Sequence, residues 1–195
     1  MNETDMTDRT RLLELLRTLS FSRRKVILTS GRESDFFIDC KQAVLTAEGH
    51  ALVGTVMLDA VEALKIDCVA VAGVALGGCS LASSVSLISE QRRAKGNRTR
   101  ALDAIYVRKE AKGHGSQRLI EGGSHLPPES SVVILEDTTT TGGSTCKAIA
   151  NIRSAGFRVH GVVTLVDRLE GARAAIEAED VAFSAIFTRH DFMNE

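Results

Sequence analysis

The sequence has no tryptophan, and its four cysteines, Cys40, Cys68, Cys79 and Cys146, are scattered without a C-x-x-C pair or a histidine at ligand spacing. That pattern argues against a zinc site and against a disulfide framework, and reads as reduced, mostly buried thiols in a cytosolic protein. No apolar stretch reaches the ~18 residues that a membrane span needs, and the polar, acidic start MNETDMTDRT has neither the basic flank nor the apolar run of a signal peptide. The expectation is a cytoplasmic chain that contacts no membrane. Positive charge in bulk is missing too: the formal net charge is −1 with 25% charged residues, so no global field favours nucleic acid. Any anion site has to be local. Internal repeats and low-complexity tracts are absent.

What is present suits one domain spanning residues 1–195, long enough to bury roughly 70% of its unfolded surface. Leu12, Leu13, Leu16 and Leu19 share a helical face between Thr7 and Ser20, with Thr7 or Asp8 able to cap. Val26-Ile27-Leu28 and Phe36-Phe37-Ile38 flank a polar turn and read as two short strands. With little alternating surface they are expected as a flap, so that about residues 1–45 form a helix and hood beside the main sheet. An amphipathic helix follows from His50 to Leu64, and strands are expected at Cys68–Ala72, Asp103–Val107, Val132–Leu135, Val159–Val166 and Ala182–Phe187.

The chain is organised around Val132-Val133-Ile134-Leu135-Glu136-Asp137-Thr138-Thr139-Thr140-Thr141-Gly142-Gly143-Ser144-Thr145. A buried, largely β-branched strand leads through two acids, four hydroxyls and two glycines into a helix. Ligands of open α/β sheets sit at such strand ends. Glycines allow close backbone approach and the first N–H groups of a helix carry partial positive charge, so Thr140 to Ser144 should hold a phosphate. Glu136 and Asp137 would repel it, and are better suited to accept from sugar hydroxyls or to hold a divalent cation. A phosphorylated ribose asks for both features together. The Walker pattern is absent, and Lys147 lies beyond the turn. A well-capped strand-to-helix turn is the plainer reading of any single Ser/Thr-Gly pair.

Two other segments point to the same sheet edge. Gly73-Val74-Ala75-Leu76-Gly77-Gly78 opens a second strand–loop–helix unit, read either as a further anion contact or as close packing. After Val107, the run Arg108-Lys109-Glu110-Ala111-Lys112-Gly113-His114-Gly115-Ser116-Gln117-Arg118 is basic, glycine-punctuated and without apolar periodicity. A structureless loop of roughly 15 to 20 residues in a compact domain is usually a lid or binding loop. Asp167-Arg168-Leu169-Glu170-Gly171 ends a later strand, and Arg168 there can fork onto a carboxylate ligand or pair with Asp167 or Glu170.

The stretch Glu136-Asp137-Thr138-Thr139-Thr140-Thr141-Gly142-Gly143-Ser144 resembles the phosphoribosyl pyrophosphate (PRPP) motif of type I phosphoribosyltransferases. With Thr29-Ser30-Gly31-Arg32, Phe36-Phe37-Ile38, the 108–118 loop and Asp-Arg-x-Glu-Gly in order, nearly the whole chain is similar to the orotate branch of that family. The resemblance implies the α/β fold of type I phosphoribosyltransferases: a mainly parallel central sheet flanked by helices, an N-terminal hood, and a mobile catalytic loop over about residues 108–123. It implies transfer of a 5-phosphoribosyl group from PRPP to orotate with Mg2+ held mainly through PRPP, in a homodimer that shares the loop across its interface. Carried over, Glu136, Asp137, Thr138, Thr139, Thr140, Thr141, Gly142, Gly143 and Ser144 bind the ribose phosphate. Arg108, Lys109, Lys112 and His114 hold pyrophosphate, while Thr140, Arg168, Phe37 and Ile38 meet orotate. Lys112, His114 and Asp137 are the catalytic candidates. Two departures stand out: many members of the family have lysine where this chain has Thr29 and Gly77. The nearest rivals are a transferase for purine or another base and a PRPP-sensing regulator of the same fold.

Overall fold

In the computed structural model the described residues are 7–27, 33–108 and 119–193, with side chains described for 7–24, 35–108 and 119–193. Thr7 caps helix α1 (Asp8–Leu15), its hydroxyl accepting the Thr10 N–H at 3.3 Å. The helix continues into a π-helical turn, Leu16–Ser20. Leu12 and Leu16 are fully buried as the periodicity requires, but Leu19 is 45% exposed. The wider turn carries it off the apolar stripe.

Strands β1 (Phe21–Ile27) and β2 (Glu33–Ile38) pair antiparallel as a separate two-stranded hood, with Phe21 opposite Ile38. Of the polar turn expected at Thr29–Asp35, Glu33–Asp35 belong to β2, and Thr29–Arg32 lie outside the described residues. The separate pairing of β1 and β2 bears out the expected hood beside the main sheet, while the expectation that it takes no part in the core is corrected by Phe36. Phe36 is fully buried in the same apolar cluster as Leu12, Leu16 and Met57, with its ring 5.2 Å from Phe21 and 5.8 Å from Phe192.

There follow α2 (Lys41–Val44), α3 (Ala47–Ala63), β3 (Ala70–Val74), α4 (Gly77–Ala94), β4 (Asp103–Val107), β5 (Ile120–Glu121), β6 (Ser131–Thr139) and α5 (Gly143–Ser154). The chain continues through β7 (Arg158–Asp167), α6 (Ala172–Glu177), β8 (Ala182–Thr188) and α7 (Arg189–Met193). The main sheet runs β5-β4-β3-β6-β7-β8, with only the β4–β5 pairing antiparallel. Strand residues alternate between faces. Val71, Val133, Leu135, Val163 and Leu165 face one buried cluster, while Ala70, Ala72, Ile134 and Val162 face the other. Helices therefore cover both sides of the sheet. Beyond β8 the sequence looks polar, yet Phe192 and Met193 of α7 are buried at 5% and 8% exposure.

From β3 the chain winds outward through β4, then returns to place β6 on β3's other side and winds away through β7 and β8. That reversal opens a crevice at the carboxyl ends of β3 and β6, the place where open α/β sheets take ligands.

Candidate active site

Strand β6 does not stop at Leu135 but continues to Thr139, with Thr138 opposite Val166 and Thr139 opposite Asp167 of β7. The acids are thus consecutive strand residues and point to opposite faces. Glu136 is 4% exposed and its Oε1 accepts the hydroxyl of the fully buried Thr145 at 2.8 Å, tying the strand to α5. Asp137 turns the other way, and its carboxylate lies over the backbone of Gly77 at the start of α4. The expected acidic pair is divided into one carboxylate that braces the loop and one that faces the crevice.

Asp137 has neighbours that the motif did not announce. Its Oδ1 accepts the Thr138 N–H at 2.8 Å, and the Cys40 thiol donates to its carbonyl at 3.6 Å while lying 3.6 Å from the Thr138 hydroxyl. Lys41, next in the chain, places its Nζ 2.5 Å from Asp39 Oδ1. Burial pushes the Asp137 carboxyl above its ordinary value, and the nearby Lys41 charge is the largest effect opposing it. Burial, with the Asp137 charge second, drives the Cys40 thiol up to about 12. The hydrogen bond to Asp39 raises Lys41. An Asp-Cys-Lys triplet closing a hood strand carries no recognised spacing, so sequence reasoning had no handle on it.

The turn after β6 has the form a phosphate needs. Gly142 caps α5 at φ 84°, a left-handed conformation that favours glycine, and a Cβ there would sit 3.2 Å from Ala172. Carbonyls of Thr139 and Thr140 accept the N–H groups of Arg168 and Ala172, each at 3.0 Å, fixing the loop to the β7–α6 connection. Thr141, Gly143 and Ser144 are exposed at the amino end of α5, and Thr138 and Thr140 are half-buried beside them. Alongside, Ser144, Lys147 and Asn151 of α5 line a cavity of about 290 Å3 with Val74, Val107 and Arg108. Arg108 pairs with Glu121 at 2.8 Å. Lys109, Lys112 and His114 fall outside the described residues.

Arg168 takes the local partner that its sequence allowed: Nη2 lies 3.0 Å from Glu170 Oε1, and both side chains are largely buried. The same nitrogen donates to the Phe36 carbonyl at 3.4 Å, and the guanidinium stands 5.5 Å from the Phe36 ring centre. Asp167 instead accepts from the Thr139 hydroxyl at 3.3 Å and the Leu169 N–H at 3.0 Å. Phe37 and Ile38 are half-buried on the hood strand, with Arg24 packed 3.7 Å over the Phe37 ring. The structure therefore gathers Asp137, Thr138–Ser144, Arg168 and the Phe36–Ile38 strand around one sheet edge. Among the described residues no group of three or more His, Cys, Asp or Glu could hold a metal ion.

Residues 46–191 match the model of the phosphoribosyl transferase domain. The chain is 57% identical over 193 residues to the orotate phosphoribosyltransferase of Sorangium cellulosum, covering 99% of this chain and 97% of that relative. It is 39% identical over 194 residues to the enzyme of the same name from Thermosynechococcus vestitus, covering 98% and 96%. Among solved structures, orotate phosphoribosyltransferase of Mycobacterium tuberculosis superposes with a TM-score of 0.77 at 37% identity over 96% of this chain and 99% of that one. A second structure of that enzyme, in complex with PRPP, superposes at 0.74 with 34% identity, covering 95% and 99%.

Proposed function

The chain belongs to the orotate branch of the phosphoribosyltransferase family, and we infer that it transfers the 5-phosphoribosyl group of PRPP to N1 of orotate, yielding orotidine 5′-phosphate and pyrophosphate in pyrimidine biosynthesis. The observation that carries this reading is the meeting, at one strand-order reversal, of a glycine-capped anion turn, a crevice-facing carboxylate and an arginine under a hood strand. In this reading the whole chain is one catalytic domain.

The 5-phosphate docks on the N–H groups and hydroxyls from Thr140 to Ser144, where the helix end supplies positive potential without a lysine. Asp137 accepts from the ribose hydroxyls. Glu136, held by Thr145, keeps strand and helix in register beneath them. Arg168 and the hood backbone around Phe37 and Ile38 receive the orotate, and Thr140 lies between base and phosphate. Asp137 would be the carboxylate available to a Mg2+ ion carried in with PRPP, and such an ion would supply charge neutralisation of the pyrophosphate. A homodimer in the cytoplasm, with the loop reaching into the neighbouring site, completes the proposal.

Chemistry follows from the substrate. Leaving of pyrophosphate gives the ribose oxocarbenium character, so the protein has to stabilise the departing anion and exclude water. Ile120–Glu121, near the end of the expected 108–123 loop, are instead held in the sheet as β5. Arg108, Lys109, Lys112 and His114 provide cationic donors, and closure of the segment before β5 removes solvent. Lys112 or His114 donates a hydrogen bond or proton to the departing group. Orotate arrives with its carboxylate ionised but N1 still protonated. As the N1–C1′ bond forms and the C1′–O bond to pyrophosphate breaks, the N1 proton passes to the departing pyrophosphate, so no side chain is assigned as a dedicated general base. The test is incubation with PRPP, Mg2+ and each base in turn while orotate loss is followed by absorbance. Turnover of orotate alone is expected; turnover only of a purine overturns the assignment.

A further inference from the structure

Two arginines from distant parts of the chain converge on one hood residue. The Arg168 and Arg189 guanidinium carbons lie 5.5 Å and 5.7 Å from the Phe36 ring centre. Each is paired with an acid: Arg168 with Glu170 at 3.0 Å, and Arg189 with Asp35 at 2.7 Å, an acid that Arg23 of β1 also approaches at 3.8 Å. Asp35 precedes Phe36 on β2, and Arg189 opens α7, 154 residues away. The α7 residue Phe192 then packs edge-on against the Phe36 ring at 5.8 Å and an interplanar angle of 78°. Beneath it, the Arg17 guanidinium donates to the Asp191 carbonyl, and the Asp191 carboxylate accepts the Thr188 N–H at 2.7 Å, so α7 is itself fastened at both ends of this contact.

We propose that Arg189, through Asp35 and the Phe36 ring, is a positioning residue for the base pocket: it clamps the hood strand so that the Phe36–Ile38 backbone and Arg168 stand at the spacing the planar, anionic base requires. This rests on the assignment of Arg168 and the hood strand to orotate. The physical case is that β1 and β2 form a sheet of their own, with no ladder to a strand of the main sheet among the described residues. A lone two-stranded sheet is marginal without side-chain anchorage. Phe36 supplies the apolar anchor, and the Arg189–Asp35 pair fixes rotation and slide along the strand. Because Phe36 also bears the carbonyl that accepts from Arg168, movement of β2 displaces the arginine's hydrogen-bonding partner. The phosphate turn hangs on α5 and on backbone bonds to the β7–α6 connection, including the Arg168 N–H, whereas the clamp reaches Arg168 through its side chain, so orotate binding should respond to the clamp more than PRPP binding does.

The experiment compares Arg189→Met, Arg189→Lys and Asp35→Asn with the parent protein by steady-state kinetics in each substrate, together with amide hydrogen exchange over residues 33–38. Arg189→Met should raise KM for orotate about fivefold, on the scale of one lost cation–π contact with its ion pair, with KM for PRPP and kcat within twofold, and exchange at 35–38 should speed up. Asp35→Asn should move the same two readouts in the same direction, and Arg189→Lys should restore most of the KM. Unchanged orotate KM and unchanged exchange in Arg189→Met overturn the clamp, as does an equal rise in both KM values, which marks a general loss of structure. If the parent protein turns over no orotate, the functional assignment falls; the exchange measurement still decides whether Arg189 holds the strand.

Discussion

A Cβ built on Gly77 would stand 1.9 Å from Asp137 Oδ2 and 2.2 Å from its Cγ. The carboxylate occupies the space in which any side chain at position 77 would begin. Such contact is relieved only by moving the acid, because the Gly77 backbone is set by α4. Gly77→Ala should therefore fold with little change in melting temperature yet lose about 10²-fold in kcat/KM for PRPP, since displacement of a reacting-site group by about 1 Å costs on that order. Gly77→Lys, which adds a longer side chain from the same blocked Cβ position, should be no better. Wild-type kinetics in Gly77→Ala would mean that Asp137 does not act in the rotamer described.

Asp137 also sets a trade between stability and activity. Its folded carboxyl is raised from the ordinary 3.8, with burial as the first cause and the Lys41 charge opposing. A raised acid contributes fully to stability below 3.8 and loses that contribution as pH climbs through its folded value. Near neutral pH the ionised Asp137 is a burden on the fold. Asp137→Asn should melt at a higher temperature than the parent at pH 7, and the gap should close toward pH 4, while activity falls about 10²-fold or more. Differential scanning calorimetry across that range checks the sign; a lower neutral melting temperature for the variant removes the argument.

Much of this arrangement is legible in the sequence, and for specific reasons. The apolar run at 132–135 and the Thr-Thr-Gly-Gly turn announced strand, anion loop and helix through local chemistry alone. What could not be read was where the acids point. Strand β6 runs four residues past Leu135 because it remains paired with β7, and that pairing, a property of the sheet, sends Glu136 to Thr145 and Asp137 to Gly77. Likewise the hood seemed detached because alternation measures a sheet's own faces, whereas Phe36 is buried by Phe192 from the far end of the chain. Arg189 and Lys41 belong to the same class. Their partners are 154 residues away or lie across a turn, and no spacing rule reaches them.

Cys40 should be the least reactive thiol near the site. It is 1% exposed and its thiol is pushed up to about 12, chiefly by burial. The thiolate is the nucleophile, so almost none is present at pH 8. Timed N-ethylmaleimide labelling of the native protein, read by peptide mass, should modify the part-exposed Cys79 and Cys146 first and leave Cys40 untouched until the chain unfolds. Early labelling of Cys40 would show that the hood lifts from Asp137 far more readily than its packing implies.

Thr145 offers a separate test of the division between the two acids. Its hydroxyl donates to Glu136 at 2.8 Å, with both groups inside the core. Thr145→Val keeps the shape and removes the donor, so a buried carboxylate loses one of its hydrogen bonds. The penalty for that is about 1–3 kcal/mol, which in a chain of this length lowers the melting temperature by roughly 2 to 10 °C. Because Thr145 sits in the first turn of the helix, directly after Gly143 and Ser144, the loosened strand–helix contact should also raise KM for PRPP more than KM for orotate. Thr145→Ser retains the hydroxyl and should recover both. If Thr145→Val instead melts with the parent and binds PRPP equally well, Glu136 is not a brace, and it returns to the candidates for direct contact with the ribose.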